Sequence, residues 1–202
     1  MKKIPTKPCT ATTIKTVAER LFAAHGYEGA STRQIADEAA VNISAITYYF
    51  ESKEGLYRSI FKTQLTELHD MIQRISNLDE DAAGKLNQFL DLYIGRLKNE
   101  QNFHRLLQRE ISSQIHSALK EGILSQLMNN SAILIRIIEE GIDSGIFKKV
   151  DSSLFALTVL NTLYHVVGQS PFAFSLLQDN ENLAADKVSD WIKSYLFGII
   201  NM

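Results

Sequence analysis

The sequence predicts an all-α chain of about nine helices: a three-helix unit at the N-terminus, a long fourth helix leading out of it, and a helical body beyond. Three observations carry this. Only three prolines and ten glycines interrupt 202 residues, which favours long helices over a turn-rich β architecture. Apolar residues recur at i, i+3, i+4 and i+7 along most of the chain. No stretch alternates with period two for long enough to read as a strand.

Residues 1–9 read as a flexible arm. A first helix begins at Thr12 or Thr13, carries Ile14, Val17, Ala18, Leu21 and Phe22 on one face, and ends at His25-Gly26, where Gly26 can turn left-handed. Tyr27 then folds back as an apolar cover. Ser31 or Thr32 caps a second helix with Ile35, Ala36 and Ala39 on one face. Val41 plugs the connection, and Asn42 caps a third helix whose inward residues are Ile46 and Phe50, four apart. Residues 31–50 thus have the layout of a helix-turn-helix, whose second helix enters the DNA major groove.

Ser52 caps a fourth helix from Lys53, with Leu56, Ile60, Phe61, Leu65, Leu68, Ile72 and Ile75 in its stripe. That stripe is longer than a three-helix unit can cover, so its second half must enter another core. The expected division is residues 10–62 and 63–202. Asn77 to Asp81 breaks the helix; the next carries Leu86, Phe89, Leu90, Tyr93, Ile94 and Leu97, and a shorter one Phe103, Leu106, Leu107 and Ile111. A long pattern from about Leu119 to Ile142 is ended by Gly145, and Asp151 caps a helix running to Val167. Residues 169–182, with Pro171, read as a loop or short helix, and a last helix from about Leu183 carries Val188, Trp191, Ile192, Tyr195, Leu196 and Ile199.

Net charge is −2, which does not mark the whole chain as a nucleic-acid binder, but the distribution does. Residues 1–62 hold nine Lys/Arg against six Asp/Glu, and the remainder twelve against seventeen. A basic front on an acidic body suits phosphate contact through one end. The single cysteine, Cys9, rules out an intramolecular disulfide and fits a reducing compartment. Neither a secretory signal nor an apolar run of the roughly 20 residues a membrane span needs is visible, so a cytoplasmic location with no membrane partner is expected. The five histidines have no zinc-protease spacing, and no nucleophile elbow or phosphate-binding glycine loop occurs. Neither an enzyme, a metal site nor a cofactor is expected.

The run from Thr13 to Phe61 resembles the N-terminal domain of the TetR/AcrR family of bacterial transcriptional regulators. The matching residues are Phe22, Gly26, Tyr27, Ser31, Thr32, Ile35, Ala36, Ala39, Val41, Tyr48, Tyr49, Phe50, Ser52, Lys53 and Leu56. Two positions depart: Ala40 replaces the usual glycine of the turn, and Thr47 the tyrosine often found before Tyr48. Alanine there means either that positive φ is not required or that the turn is strained.

The resemblance implies an effector-binding and dimerisation domain over 63–202. It also implies a homodimer on double-stranded palindromic DNA, most simply a repressor released by a small apolar effector. By motif position Thr32 and Lys53 would bind phosphate, and Tyr48 and Tyr49 would clamp the backbone. Base readout would fall to Asn42, Ser44, Ala45 and Thr47, with Arg33 reaching in. Asn42 is equally suited to spending its side chain on the cap, and Arg33 to pairing within the chain. Phe61, Phe89, Tyr93, Phe103, His104, Leu107, Met128, Tyr164, His165 and Phe172 are candidates to line an effector pocket, although such residues at helical spacing also make ordinary cores. Phe155, Trp191 and Tyr195 are candidate anchors of the dimer interface. Two other readings remain: a DNA-binding regulator that answers to a protein partner, and a helical adaptor that no longer binds DNA.

Overall fold

The computed structural model describes residues 9–113, 117–167, 175 and 185–201. Among them lie nine α-helices: α1 (Thr10–Gly29), α2 (Thr32–Glu38), α3 (Ile43–Phe50), α4 (Lys53–Ser76), α5 (Ala82–Asn99), α6 (Gln101–Ser112), α7 (Ala118–Asp143), α8 (Ser152–Thr162) and α9 (Ala185–Ile200). α8 runs on into a π-helical turn, Leu163–Val167. The only extended pairing among the described residues is an isolated antiparallel bridge, Phe147 with Asn201. The expected all-α class is thus the observed one.

Two compact units result: Met1–Thr66 with Asn102–Ile123, and Glu67–Gln101 with Leu124–Met202. α4 is continuous through the boundary, as its over-long stripe requires.

The first unit is built around α1, whose Ile14, Ala18, Leu21 and Phe22 are buried at the helical spacing read from the sequence. The helical path breaks at Gly26 (φ 78°, ψ 172°), a conformation in which a Cβ is strained. A Cβ there would also lie 3.1 Å from Arg109 Nη1. Beyond the break Tyr27 stacks on Phe22 with centroids 5.8 Å apart. Tyr57 meets both rings at 5.0 Å and continues through Phe61 (5.1 Å) to Phe103 of α6. α6 is fixed to this unit by polar contacts as well. Arg109 donates to the Phe22 carbonyl at 3.2 Å, and the Tyr57 hydroxyl to Glu110 at 3.2 Å. Burial, with the Glu110 charge second, pushes the Tyr57 hydroxyl far above its ordinary pKa, so it stays a donor.

The second unit has one large core, drawn from Leu68, Ile72, Leu86, Phe89, Leu90, Leu134, Ile137, Ile138, Phe155, Val159, Leu163, Ile192 and Leu196 among others. Phe147 closes one end of it. Its ring lies over α7 where Gly141 leaves room, since a Cβ there would sit 2.1 Å from the ring. Lys148 N donates to Ile200 O at 2.9 Å and seals the last turn of α9. Lys85, almost wholly buried, places its ammonium 2.8 Å from Glu140, and Lys193 of α9 pairs with Asp91 of α5. A buried lysine without such a partner would be costly.

Candidate nucleic-acid interface

The turn between α2 and α3 sets the geometry. Ser31 caps α2, its hydroxyl oxygen accepting from Gln34 N at 3.0 Å. At the other end Ala40 N donates to Asp37 O (3.1 Å) and Val41 N to Ala36 O (3.0 Å). These are the two bonds of a Schellman motif, which demands a left-handed residue after the C-cap. That residue is Ala40, at φ 54°. Of the two readings of the missing glycine, strain is the one found. Arg20 of α1 pairs with Glu38 across the motif, and its hydrogen bond holds that carboxyl below the usual range.

α3 buries Ile46 and half-buries Phe50, so its opposite face is outward. Ser44, Thr47, Tyr48 and Tyr49 are exposed there, Tyr48 to 81%, with Ala45 half-buried among them. The two tyrosine rings meet edge-on at 4.9 Å. A surface hollow of about 770 Å³ is lined by Thr10, Ser44, Ala45, Thr47, Tyr48 and Tyr49. Asn42 Oδ1 accepts from both Ser44 N (2.9 Å) and Ser44 Oγ (2.8 Å), so the capping reading holds in this state, and the serine hydroxyl is engaged with it. Thr32 is half-buried at the start of α2; Arg33 is exposed and makes no hydrogen bond or ion pair among the described residues.

Lys53 opens α4 after Ser52, whose Oγ accepts from Gly55 N at 2.9 Å. Its ammonium sits 4.3 Å from the centroid of the Tyr27 ring, a cation–π contact. A long, flexible side chain is thereby held in place beside α3 in the same unit. The partner ring was not foreseen from the sequence, although Tyr27 itself was.

The ten pocket candidates are divided between the two units. Phe61, Phe103 and Leu107 are core residues of the first unit, where His104 is half-buried. Phe89 and Tyr93 stack at 5.6 Å in the second unit, the Tyr93 hydroxyl pushed up to about 12 by burial, and Tyr164 is half-buried there. Met128 (72% exposed) and His165 face outward, and Phe172 lies outside the described residues. Of the dimer candidates, Phe155 belongs to the chain's own core, because its side of α8 faces inward. Trp191 (61% exposed) and Tyr195 do not: they stack on the outside of α9, 5.5 Å apart and 5° from parallel. Leu154 and Leu157, not singled out from the sequence, are exposed on α8.

A short capped helix set by a tight turn, presenting hydroxyls and a pinned lysine, has the layout of a helix-turn-helix. Residues 14–60 match the family described as bacterial regulatory proteins, tetR family. It is 31% identical over 133 residues to the HTH-type transcriptional regulator YttP of Bacillus subtilis (strain 168); the matched stretch covers 61% of this chain and 60% of YttP. It is 26% identical over 151 residues to the fatty acid metabolism regulator protein of the same strain, covering 74% and 77%. The fold is shared with the transcriptional regulator FadR from Bacillus subtilis in complex with stearoyl-CoA. The TM-score is 0.72 and the identity 22%, over 92% of this chain and 96% of that one.

Among the described residues no helix is long and apolar enough to cross a membrane, and no group of three or more His, Cys, Asp or Glu is placed to hold a metal.

Proposed function

We propose that the protein is a homodimeric repressor that occupies a palindromic operator and leaves it when an acyl-type small molecule binds the second unit. The observation that carries the DNA half is the outward face of α3. Ser44, Ala45, Thr47, Tyr48 and Tyr49 form one continuous surface, bordered among the described residues by Thr10. Small side chains let the helix approach base edges, and methyls of Ala45 and Thr47 suit thymine. Tyr48, Tyr49, Thr32 and Lys53 supply phosphate contacts around them, with Arg33 and Asn42 at the margins.

One recognition helix makes few base contacts, so specificity calls for two copies on two half-sites about 34–36 Å apart or a multiple. Leu154, Leu157, Trp191 and Tyr195 give the second unit an exposed apolar surface that a second copy would cover. The effector half rests on likeness: a relative named for fatty acid metabolism, and a shared fold with a regulator bound to stearoyl-CoA. Release then requires the effector to favour a dimer whose recognition helices no longer match the half-site spacing.

Fluorescence anisotropy with duplexes from the chain's own upstream region tests this. The expected result is two protomers per site and release by stearoyl-CoA. Binding as a monomer, or indifference of the bound complex to acyl compounds, would overturn the corresponding half.

A further inference from the structure

The second unit buries a polar group whose hydrogen bonding is incomplete among the described residues. Asn130 of α7 is 5% exposed, on a helix whose Ile133, Leu134, Ile137 and Ile138 belong to the core. Its carboxamide oxygen faces His69 of α4, with Nδ1 at 2.8 Å, and accepts from Gln126 Nε2 at 3.5 Å. An amide oxygen only accepts, so His69 Nδ1 carries the proton in this contact. Among the described residues the carboxamide NH2 has no solvent access and no acceptor. His69 itself is flanked on α4 by Leu68 and Ile72, both in the same core.

Buried amide donors without a partner are rare, because desolvation goes uncompensated. With the proton on His69 Nδ1, turning the carboxamide over would set donor against donor. What is missing is specific. The site needs a hydrogen-bond acceptor, brings N–H donors to it, and sets them in an aliphatic wall. An amine would oppose donor to donor, and a polyol would bring hydroxyls the wall cannot satisfy. An acyl carbonyl on an aliphatic chain meets both requirements.

We propose that Asn130, oriented by His69, is the hydrogen-bonding anchor for the acyl carbonyl of the effector. This rests on the acyl-effector reading above and adds where the carbonyl is held. A thioester and a free carboxylate share that chemistry. His69 Nδ1 is bound to Asn130 in either case.

The test uses the full-length protein with stearoyl-CoA and with stearate, reading affinity by calorimetry. A second reading is the infrared carbonyl stretch of ligand labelled with carbon-13 at the carbonyl. In the wild type the stretch is expected at lower wavenumber than in Asn130→Leu, since a hydrogen bond weakens the C=O bond. Asn130→Leu is expected to weaken the ligand that is held by about tenfold while raising the melting temperature of the unliganded protein, because the orphaned donors are gone. Loss with stearoyl-CoA identifies a thioester, and loss with stearate a carboxylate. His69→Gln keeps a donor toward Asn130 and is expected to lose less than Asn130→Leu. It stands in if that variant does not fold, and the carbonyl stretch must then move part of the way. Equal affinity and an unmoved stretch in the variants, with a wild type that binds, overturn the anchor alone. A wild type that binds neither compound overturns the acyl-effector reading and the anchor with it.

Discussion

Two exposed aromatic pairs, one in each unit, differ in what surrounds them. Tyr48 and Tyr49 on α3 meet edge-on among Ser44, Thr47 and Ala45, with Lys53 in the same unit. Trp191 and Tyr195 on α9 stack flat in a unit that also exposes Leu154 and Leu157 of α8. The first surface sets hydroxyls and a cation among small side chains, which suits a hydrated, charged polymer. The second offers broad faces whose exposure to water is itself unfavourable, which suits a second copy of the same surface. Aromatic exposure alone therefore says little; the neighbours decide the partner.

The sharpest way to break this contrast is at α9. Trp191→Arg places a charge in the proposed interface and, across a two-fold axis, does so twice. Dimer dissociation is expected to rise by at least about a hundredfold, given about 2 kcal/mol or more per buried aromatic anchor. Sedimentation would show monomers, and operator affinity would fall with them while the fold survives. A dimer that persists would mean that α9 is not the interface.

On the α3 side the effects are smaller and of two kinds. Thr47→Ala is expected to cost about 1–3 kcal/mol on the preferred base pair and little on others, read by anisotropy on a panel of single-substitution duplexes. Lys53→Ala should cost at least about tenfold on every duplex and lower the salt slope by about two, one phosphate per protomer, since a phosphate contact carries no sequence information. If Lys53→Ala changed sequence preference and spared overall affinity, the roles assigned to the two positions would be reversed.

The smallest expected effect concerns the turn that aims α3. Ala40→Gly removes the left-handed strain of a Cβ, about 1–2 kcal/mol, against a glycine entropy cost of about 0.5–1 kcal/mol. The protein should gain up to about 1 kcal/mol, or about 2–4 °C in melting temperature for a chain of this size, with DNA affinity unchanged. A loss of stability would show that the αL alanine is not strained.

The same two regions show what sequence can and cannot carry. The helix-turn-helix was legible because its determinants are local: the caps Ser31, Asn42 and Ser52, the inward Ile46, and the break at Gly26 act within a turn of helix. Ala40 was legible as a question, and its Schellman hydrogen bonds answer it. The body was legible only as helices. α6 joins the N-terminal helices through Phe103, Arg109 and Glu110, and the periodicity of α6 does not say which surface it will meet. On α8, Phe155 is buried while its neighbours Leu154 and Leu157 are exposed. A stripe that is apolar nearly all round cannot reveal which side the chain itself will cover. Asn130 was hidden for the opposite reason: a polar residue in an apolar run reads as surface until its neighbours are known.

The central claim is that the α3 surface binds duplex DNA through phosphates and bases from both protomers. Its most direct test is a salt titration of binding to the upstream duplex and to scrambled DNA. With two or more phosphates neutralised per protomer, the plot of log affinity against log salt should fall with a slope steeper than about −3.5, and a gap between specific and scrambled DNA should persist at high salt. Binding that ignores salt, or no binding to either duplex, would contradict the account.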